Sequence, residues 1–323
     1  MLRDPAFGDG GNHGIGTRRL SGGGAAVIGF AKWEDRPALA ELWQVCFEEE
    51  RRYANFFFNN AFRPENCLVY RVAGRPAAML HLLPAKIVCG GKPVRIHYVF
   101  ACATAPEHRS HGYMNALLAY AALVGSQREE QFSAILPASP GLYDYYAKSD
   151  YVTFFERDEY RLSAEQLREK AVVRGGRRAF TPATLNRMRS ALLRDREGSV
   201  LWENGAFWFA VEDNRIYGGK LVCAEGPSYA VCRREQPDVC EITEFMSAPE
   251  HLPALFAALL QEMPAQDYRI RLPKGSGLFA AAGVPSLSAP EPAFCGMLRP
   301  LDGASLEQIH VGDQKPYLGL GKD

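Results

Sequence analysis

The stretch that most limits what this chain can fold into runs from Tyr98 to Val124. An apolar segment, Tyr98 to Ala105, ends at Pro106. A polar loop, Arg109-Ser110-His111-Gly112-Tyr113-Met114, leads into a segment with Met114, Leu117, Leu118, Ala121 and Val124 at helical spacing. The pattern predicts a buried strand, a tight loop and an amphipathic helix over 113–127. The first turn of a helix carries unpaired N–H groups and a partial positive charge. A glycine at its entrance lets the backbone come close to a ligand. A strand–loop–helix of this kind is an anion site, suited to phosphate, and Arg109 adds a formal charge beside it. The loop is no Walker loop, since no G-x-x-x-x-G-K-[ST] occurs, and no G-x-G-x-x-G follows an expected strand.

Around this unit the chain alternates strands and helices. A short strand at 27–30 precedes a helix for which Asp35 is the candidate N-cap and Pro37 lies in the first turn. Leu39, Leu42, Trp43, Cys46 and Phe47 give that helix an apolar face, and a second helix is expected over 51–62. Strand-like runs follow at 67–72, 77–88 and 94–104, separated by glycine-containing turns. After the 113–127 helix come a strand at 132–136, a short helix at 142–148 and a strand at 151–155. The expected order is β-α-α-β-β-β-α-β-α-β.

The downstream half reads similarly. Strands are expected at 206–211, 215–224, 228–233 and 239–247, and a helix near Pro253 for which Ser247 is the candidate cap. Strands at 268–272 and 294–298 follow. The order resembles the first half displaced by about 140 residues, a repeat of pattern in which no short motif is shared. Between the halves, 157–196 is rich in Arg and Lys but nearly lacks aromatics for base stacking, so it reads as a solvated linker with the polar face of a helix over 185–193.

The chain has 323 residues, enough for about two domains. Its formal net charge is zero, which gives no electrostatic case for nucleic acid or an anionic membrane as partner. No run of 18 apolar residues occurs, so no membrane-spanning helix is expected. The Gly-rich residues 1–25 read as a flexible tail with no apolar core of a secretory signal. Eight dispersed cysteines without a C-x-x-C pair read as free thiols of a reducing cytoplasm, with no metal site. The expected organisation is a tail (1–25), a first domain (26–160), a linker or helical segment (161–200), a second domain (201–300) and a C-terminal tail (301–323).

Pro106, Arg109 and Gly112, set between an apolar strand and a helix, and the downstream Tyr146-Ala-Lys-Ser-Asp-Tyr151, resemble the signature of the GNAT superfamily of N-acetyltransferases. That signature is an apolar strand, a Pro-x-x-[RQ]-x-x-G-x-[GA] loop, a helix, a further strand, and a short helix reading Tyr-x-x-x-Gly-[FY]. The resemblance covers residues 27 to about 155. It implies an α/β (α+β) fold with a mixed sheet, and the second half then reads as a degenerate GNAT-like domain. There the corresponding segment, Glu244 to Leu252, lacks R-x-x-G. Tandem folds with one working half occur in the superfamily. The mycobacterial enhanced-intracellular-survival acetyltransferases are one such branch, with an added C-terminal sterol-carrier-like domain that this chain is too short to hold in full.

The resemblance further implies acetyl-CoA as acyl donor and an amine as acceptor. Backbone groups of Cys102, Ala103 and Thr104 would pair with the pantetheine arm. The loop and first turn, Arg109, Ser110, His111, Gly112, Tyr113, Met114 and Asn115, would hold the pyrophosphate, and Ser139 would touch the cofactor. Tyr146 would be the acid at the departing sulfur, with Tyr143 and Tyr145 as neighbours that fit the same role. Two departures stand out: Met114 replaces the second small residue of the loop, and Asp150 stands where the glycine is expected. No acidic residue lies on the strand before Thr104, which leaves His97 as the nearest candidate base and the chain-terminal carboxylate at Asp323 as a second. The leading expectation is an acetyl-CoA-dependent N-acetyltransferase. The alternatives are an aminoacyl-tRNA-dependent transferase of the tandem type and a non-catalytic CoA-binding sensor.

Overall fold

The computed structural model describes residues 18–20, 26–47, 51–173, 180–226, 228–284 and 289–321. Most of the expected N-terminal tail, the run Arg174-Gly175-Gly176-Arg177-Arg178 and Asp323 lie outside them. The first half contains β1 (Arg18–Leu20), β2 (Ala26–Phe30), α1 (Arg36–Cys46), α2 (Arg51–Asn60), β3 (Cys67–Val72), β4 (Arg75–Cys89), β5 (Lys92–Thr104), α3 (Tyr113–Gln127), β6 (Phe132–Ile135), α4 (Pro140–Ala147) and β7 (Val152–Thr153). The second half contains β8 (Glu156–Ser163), α5 (Ala164–Lys170), α6 (Pro182–Leu193), β9 (Val200–Trp202), α7 (Asn204–Ile216), β10 (Lys220–Ala224), β11 (Ser228–Gln236) and β12 (Val239–Met246). It closes with α8 (Leu252–Glu262), β13 (Asp267–Pro273), α9 (Leu278–Ala281), β14 (Glu291–Phe294) and β15 (Met297–Pro300).

These elements build two mixed sheets flanked by helices, an α/β fold repeated in tandem. Among the described residues one sheet runs β1-β2-β3-β4-β5-β6-β15-β7, with β9 also on β4, and the other runs β10-β11-β12-β13-β8-β14. Each has one parallel pair, β5 with β6 and β12 with β13. The strands alternate in the expected way. Tyr98 and Phe100 of β5 pack with Trp43 of α1 and Phe57 of α2, whereas Val99 packs with Leu117 and Leu118 of α3. Burying aliphatic or aromatic side chains of this size gives about 1.5–3 kcal/mol each, which is what holds the helices on the sheet.

Two chain segments cross side by side from one sheet to the other. β7 ends at Thr153 in the first sheet, and the chain enters the second as β8. β14 pairs with β8, and the chain then returns to the first sheet as β15, between β6 and β7. The turn uses Gly296 at φ 141°, where a Cβ would lie 2.9 Å from Leu318 Cδ2 and 3.1 Å from the Ile135 carbonyl oxygen. The expected single strand at 294–298 is therefore two strands in two sheets.

Other expectations differ for identifiable reasons. Residues 206–211 are part of helix α7, because Phe207, Ala210, Val211 and Asn214 repeat at helical spacing, which a short apolar run conceals. Asp35 stands at the N-terminus of α1, but its carboxylate accepts from Arg71 (2.6 Å) and from the Lys32 N–H (2.7 Å) rather than capping. Ser247 does not cap α8, since its hydroxyl donates to the Ala248 carbonyl. The basic run is not simply solvated: Arg189 of α6 and Arg196 are buried, the latter donating to the Lys274 and Lys315 carbonyls. Residues 301–321 also carry buried side chains, among them Leu301, Tyr317 and Leu318. One tetrapeptide does recur. Ala105-Pro106-Glu107-His108 before α3 and Ala248-Pro249-Glu250-His251 before α8 both form a 3-10 turn. No helix among the described residues is long and apolar enough to cross a membrane.

Candidate active site

β5 and β6 pair in parallel from Ile96–Phe132 to Val99–Ile135, and no further. β6 ends there, while β5 continues five residues to Thr104. At the point of divergence β5 carries a bulge: Phe100 pairs with His81 and Ala103 with Met79, so three steps on β5 face two on β4. Ala101 sits in the bulge at φ 52°. A bulge bends its strand and raises its local twist, which turns the end of β5 away from β6. Ala103 pairs with β4, and the Ala105 N–H donates to the Ala77 carbonyl. By strand alternation the N–H groups of Cys102 and Thr104 then face the gap. The Thr104 carbonyl accepts from Arg109 Nε (3.2 Å) and the Cys46 thiol (3.3 Å).

The loop that follows brings its amides to the same end of the sheet. Ser110 (φ 64°) and Gly112 (φ 75°) both take left-handed conformations. Gly112 is the N-cap of α3 and no side chain caps the helix. The Ala116 N–H bonds to the Gly112 carbonyl, so the N–H groups of Tyr113, Met114 and Asn115 are the ones left without an intrahelical acceptor. A Cβ built on Gly112 would meet nothing within 4 Å. These amides therefore open onto free space, as a pyrophosphate site requires. His111 Nδ1 is 2.7 Å from the Arg109 carbonyl, and the Tyr113 ring stacks on Tyr70 at 4.1 Å, which together fix the loop. Met114 points into the core, so its bulk does not reach the amides.

Tyr146, on α4, is buried against the same strand, and its phenol faces the Cys102 thiol. Burial pushes the Tyr146 phenol well above its ordinary pKa, and burial likewise pushes the Cys102 thiol up to about 12. Both groups hold their protons at ordinary pH. Asp150 adopts φ 63°, the left-handed conformation a glycine supplies elsewhere, and its carboxylate lies 3.2 Å from Arg299. Tyr143 and Tyr145 are partly buried, and burial raises both phenols.

His97 is not part of this arrangement. It is fully buried on the α3 side of β5, with Nδ1 2.6 Å from Glu130 Oε2. A Cβ on Gly125 of α3 would come within 2.8 Å of its ring. The residue lies in the closed, parallel-paired part of the sheet beside Ser133, so no acceptor amine reaches it. The expectation that it acts as base is corrected on that ground.

Ser139, at the N-terminus of α4, lines a cleft of about 860 Å³ between the two halves. Leu136, Tyr143, Tyr53, Asp213, Arg157, Arg233 and Arg271 also line it, as do Tyr317 to Gly321. The chain leading to Asp323 thus runs past the end of β6. The three arginines and Asp213 carry no local sequence signal, because they come from four separate elements.

Residues 28–151 match the family model described as "Acetyltransferase (GNAT) domain". Solved structures similar in fold include a probable N-acyltransferase of Enterococcus faecalis V583, at 14% identity and TM-score 0.66, with 86% of this chain and 73% of that chain covered. A GCN5-related N-acetyltransferase of Anabaena variabilis gives 16% identity and TM-score 0.67, with 85% and 72% covered. Eis1 of Mycobacterium abscessus gives 14% and 0.63, with 85% and 74% covered. At such identities the likeness is one of fold. Among curated proteins none matches the sequence significantly. The segment 28–151 is a GNAT acetyltransferase domain. The whole chain has the tandem architecture seen in these acetyltransferases, the Eis type included.

Proposed function

We propose that the protein is an acetyl-CoA-dependent N-acetyltransferase that acts on a primary amine. The observation that supports it most is the uncapped N-terminus of α3 at Gly112, set beside the gap where β5 leaves β6. The first-turn amides of Tyr113, Met114 and Asn115, with Arg109, Ser110 and His111, would hold the donor's pyrophosphate. Backbone groups of Cys102, Ala103 and Thr104 would pair with its pantetheine arm, and Ser139 would touch it from α4. The donor supplies a thioester carbonyl open to attack by the amine.

An N–H on the end of β5 would stabilise the oxygen charge that develops during attack. As the amine nitrogen bonds to the carbonyl carbon and the C–S bond breaks, Tyr146 would donate its proton to the departing sulfur, and the proton shed by the new amide nitrogen would restore the phenol. The buried phenol remains in the donor form across the working pH range. The cleft between the halves would admit the acceptor, at the kind of domain boundary where ligand sites form.

Calorimetric titration with acetyl-CoA and with longer acyl-CoAs tests the reading. Saturable binding of one of them, competed by CoA, is expected. No binding of any would overturn it.

A further inference from the structure

The floor of the inter-domain cleft is one face of the second sheet. Glu159 on β8 is directly opposite Arg271 on β13, and Arg157 on β8 is opposite Pro273. Arg157 and Arg271 are therefore diagonal neighbours on the same face. Thr243 on β12 and Arg233 on β11 continue the row, and all four residues line the cleft. The opposite face, with Ile242, Ile270, Leu272 and Cys232, packs against α8 as an ordinary core. The second sheet thus turns an apolar face to its helix and a row of guanidinium groups to the cleft.

Arg157 is the most telling of these. It is the second residue of β8, just past the crossing from the first sheet, and is partly buried. Its Nε is buried with no hydrogen-bond partner, and no carboxylate among the described residues lies within ion-pairing distance. Burial, then the nearby Arg271, lowers its pKa, so the folded chain bears a cost at this point. Among the described residues Arg271 pairs with Glu159, at 3.5 Å. The other charged groups lining the cleft are Arg233 and the carboxylate of Asp213, the latter on the α7 wall. Two close guanidinium groups, one with an unused buried N–H, are matched by an oxyanion that accepts several hydrogen bonds at once.

We propose that Arg157 and Arg271 form an anion clasp for the acceptor, so that the amine acetylated here also bears a carboxylate or a phosphate. This rests on the acetyltransferase reading and adds the acceptor's class. The exposed rings of Tyr217 and Phe294 at the cleft rim leave room for an apolar portion between amine and anion. A polycationic amine is disfavoured by the same arginines.

The test uses the full chain with CoA bound. Short amino acids, aminoalkyl phosphates, the matching amino amides and diamines are titrated by calorimetry, and each is assayed with acetyl-CoA by thiol release. Anionic amines are expected to bind at least ten-fold tighter than their amides or diamines. The carboxylate and phosphate arms show which oxyanion is preferred. Arg157→Gln and Arg271→Gln should each abolish that discrimination while acetyl-CoA affinity stays within about two-fold. Equal or tighter binding of amides or diamines, no binding of any anionic amine, or discrimination that survives both substitutions would overturn the clasp. Loss of acetyl-CoA binding by the unaltered protein would instead overturn the acetyltransferase reading, and this is measured separately.

Discussion

Arg189 Nε donates to Glu244 Oε1 across 2.9 Å, with no solvent access to either side chain. The pair joins α6 to β12. Glu244 also accepts from the hydroxyls of Tyr229 and Tyr317, and Arg189 donates to the Val200 and Leu318 carbonyls. One buried ion pair therefore ties the second sheet to the C-terminal segment along the cleft. Removing one partner strands the other charge in the interior. Glu244→Ala is expected to cost about 3–5 kcal/mol in denaturant unfolding and to speed proteolysis beyond Tyr317. An unchanged midpoint would show that the pair carries no stability.

Gly112 holds φ 75° with open space where a side chain would begin. Strain, not collision, is the cost of a substitution there. Gly112→Val should cost about 1–2 kcal/mol of local conformational energy, which the loop relieves by turning its amides away. Acetyl-CoA affinity should fall on the order of ten-fold or more, while Gly112→Asn, which tolerates this conformation, keeps more of it. Calorimetry on both variants decides, and equal affinities would place the pyrophosphate elsewhere.

Tyr146→Phe should lower kcat on the order of 100-fold with little change in acetyl-CoA binding. Burial raises the phenol's pKa, so its proton is retained as pH rises through 10, and no alkaline loss of kcat from this group is expected below that point. The Cys102 thiol beside it, pushed up to about 12, is not a nucleophile at neutral pH. Intact-mass spectrometry after incubation with acetyl-CoA alone should show no acetyl group on Cys102, and finding one would replace direct transfer by a two-step route.

His97→Gln separates a structural histidine from a base. Without the imidazole beside Glu130, stability should drop by about 1–3 kcal/mol, while the shape of the pH–rate profile stays as it was. Disappearance of an acidic limb would restore His97 to the mechanism.

His81 lies among Trp43, Phe57, Phe58, Phe62 and Phe100, and burial lowers its pKa to about 3. The unfolded chain takes up a proton there as pH falls below about 6.5, whereas the folded chain does so only near 3. Stability from this group is thus present above 6.5 and is lost on acidification, by up to about 1.4 kcal/mol per pH unit. Unfolding followed from pH 7 to 4 should show this slope, and His81→Leu should flatten it.

Much of the first half is legible because its signals are local. The 3.6-residue repeat from Met114 to Val124, the glycine before it and the period-two strands need only neighbouring residues to be read. The loop before α3 is legible for the same reason, and Gly112 stands at the mouth of that helix. His97 misleads because a histidine on a strand says nothing about which face it takes or what lies across from it. The 206–211 run misleads because helix and strand share the same short apolar signature.

The sequence by itself determined that a strand, a tight glycine loop and a helix would present free amides, since main-chain geometry and residue periodicity act over a few residues. Only the tertiary structure decided that β15 returns to the first sheet, that Arg189 is buried on Glu244, and that Arg157 and Arg271, 114 positions apart by number, share one face of a cleft. Those relationships depend on strand order and on which face each strand buries, and both are set by packing the whole chain at once.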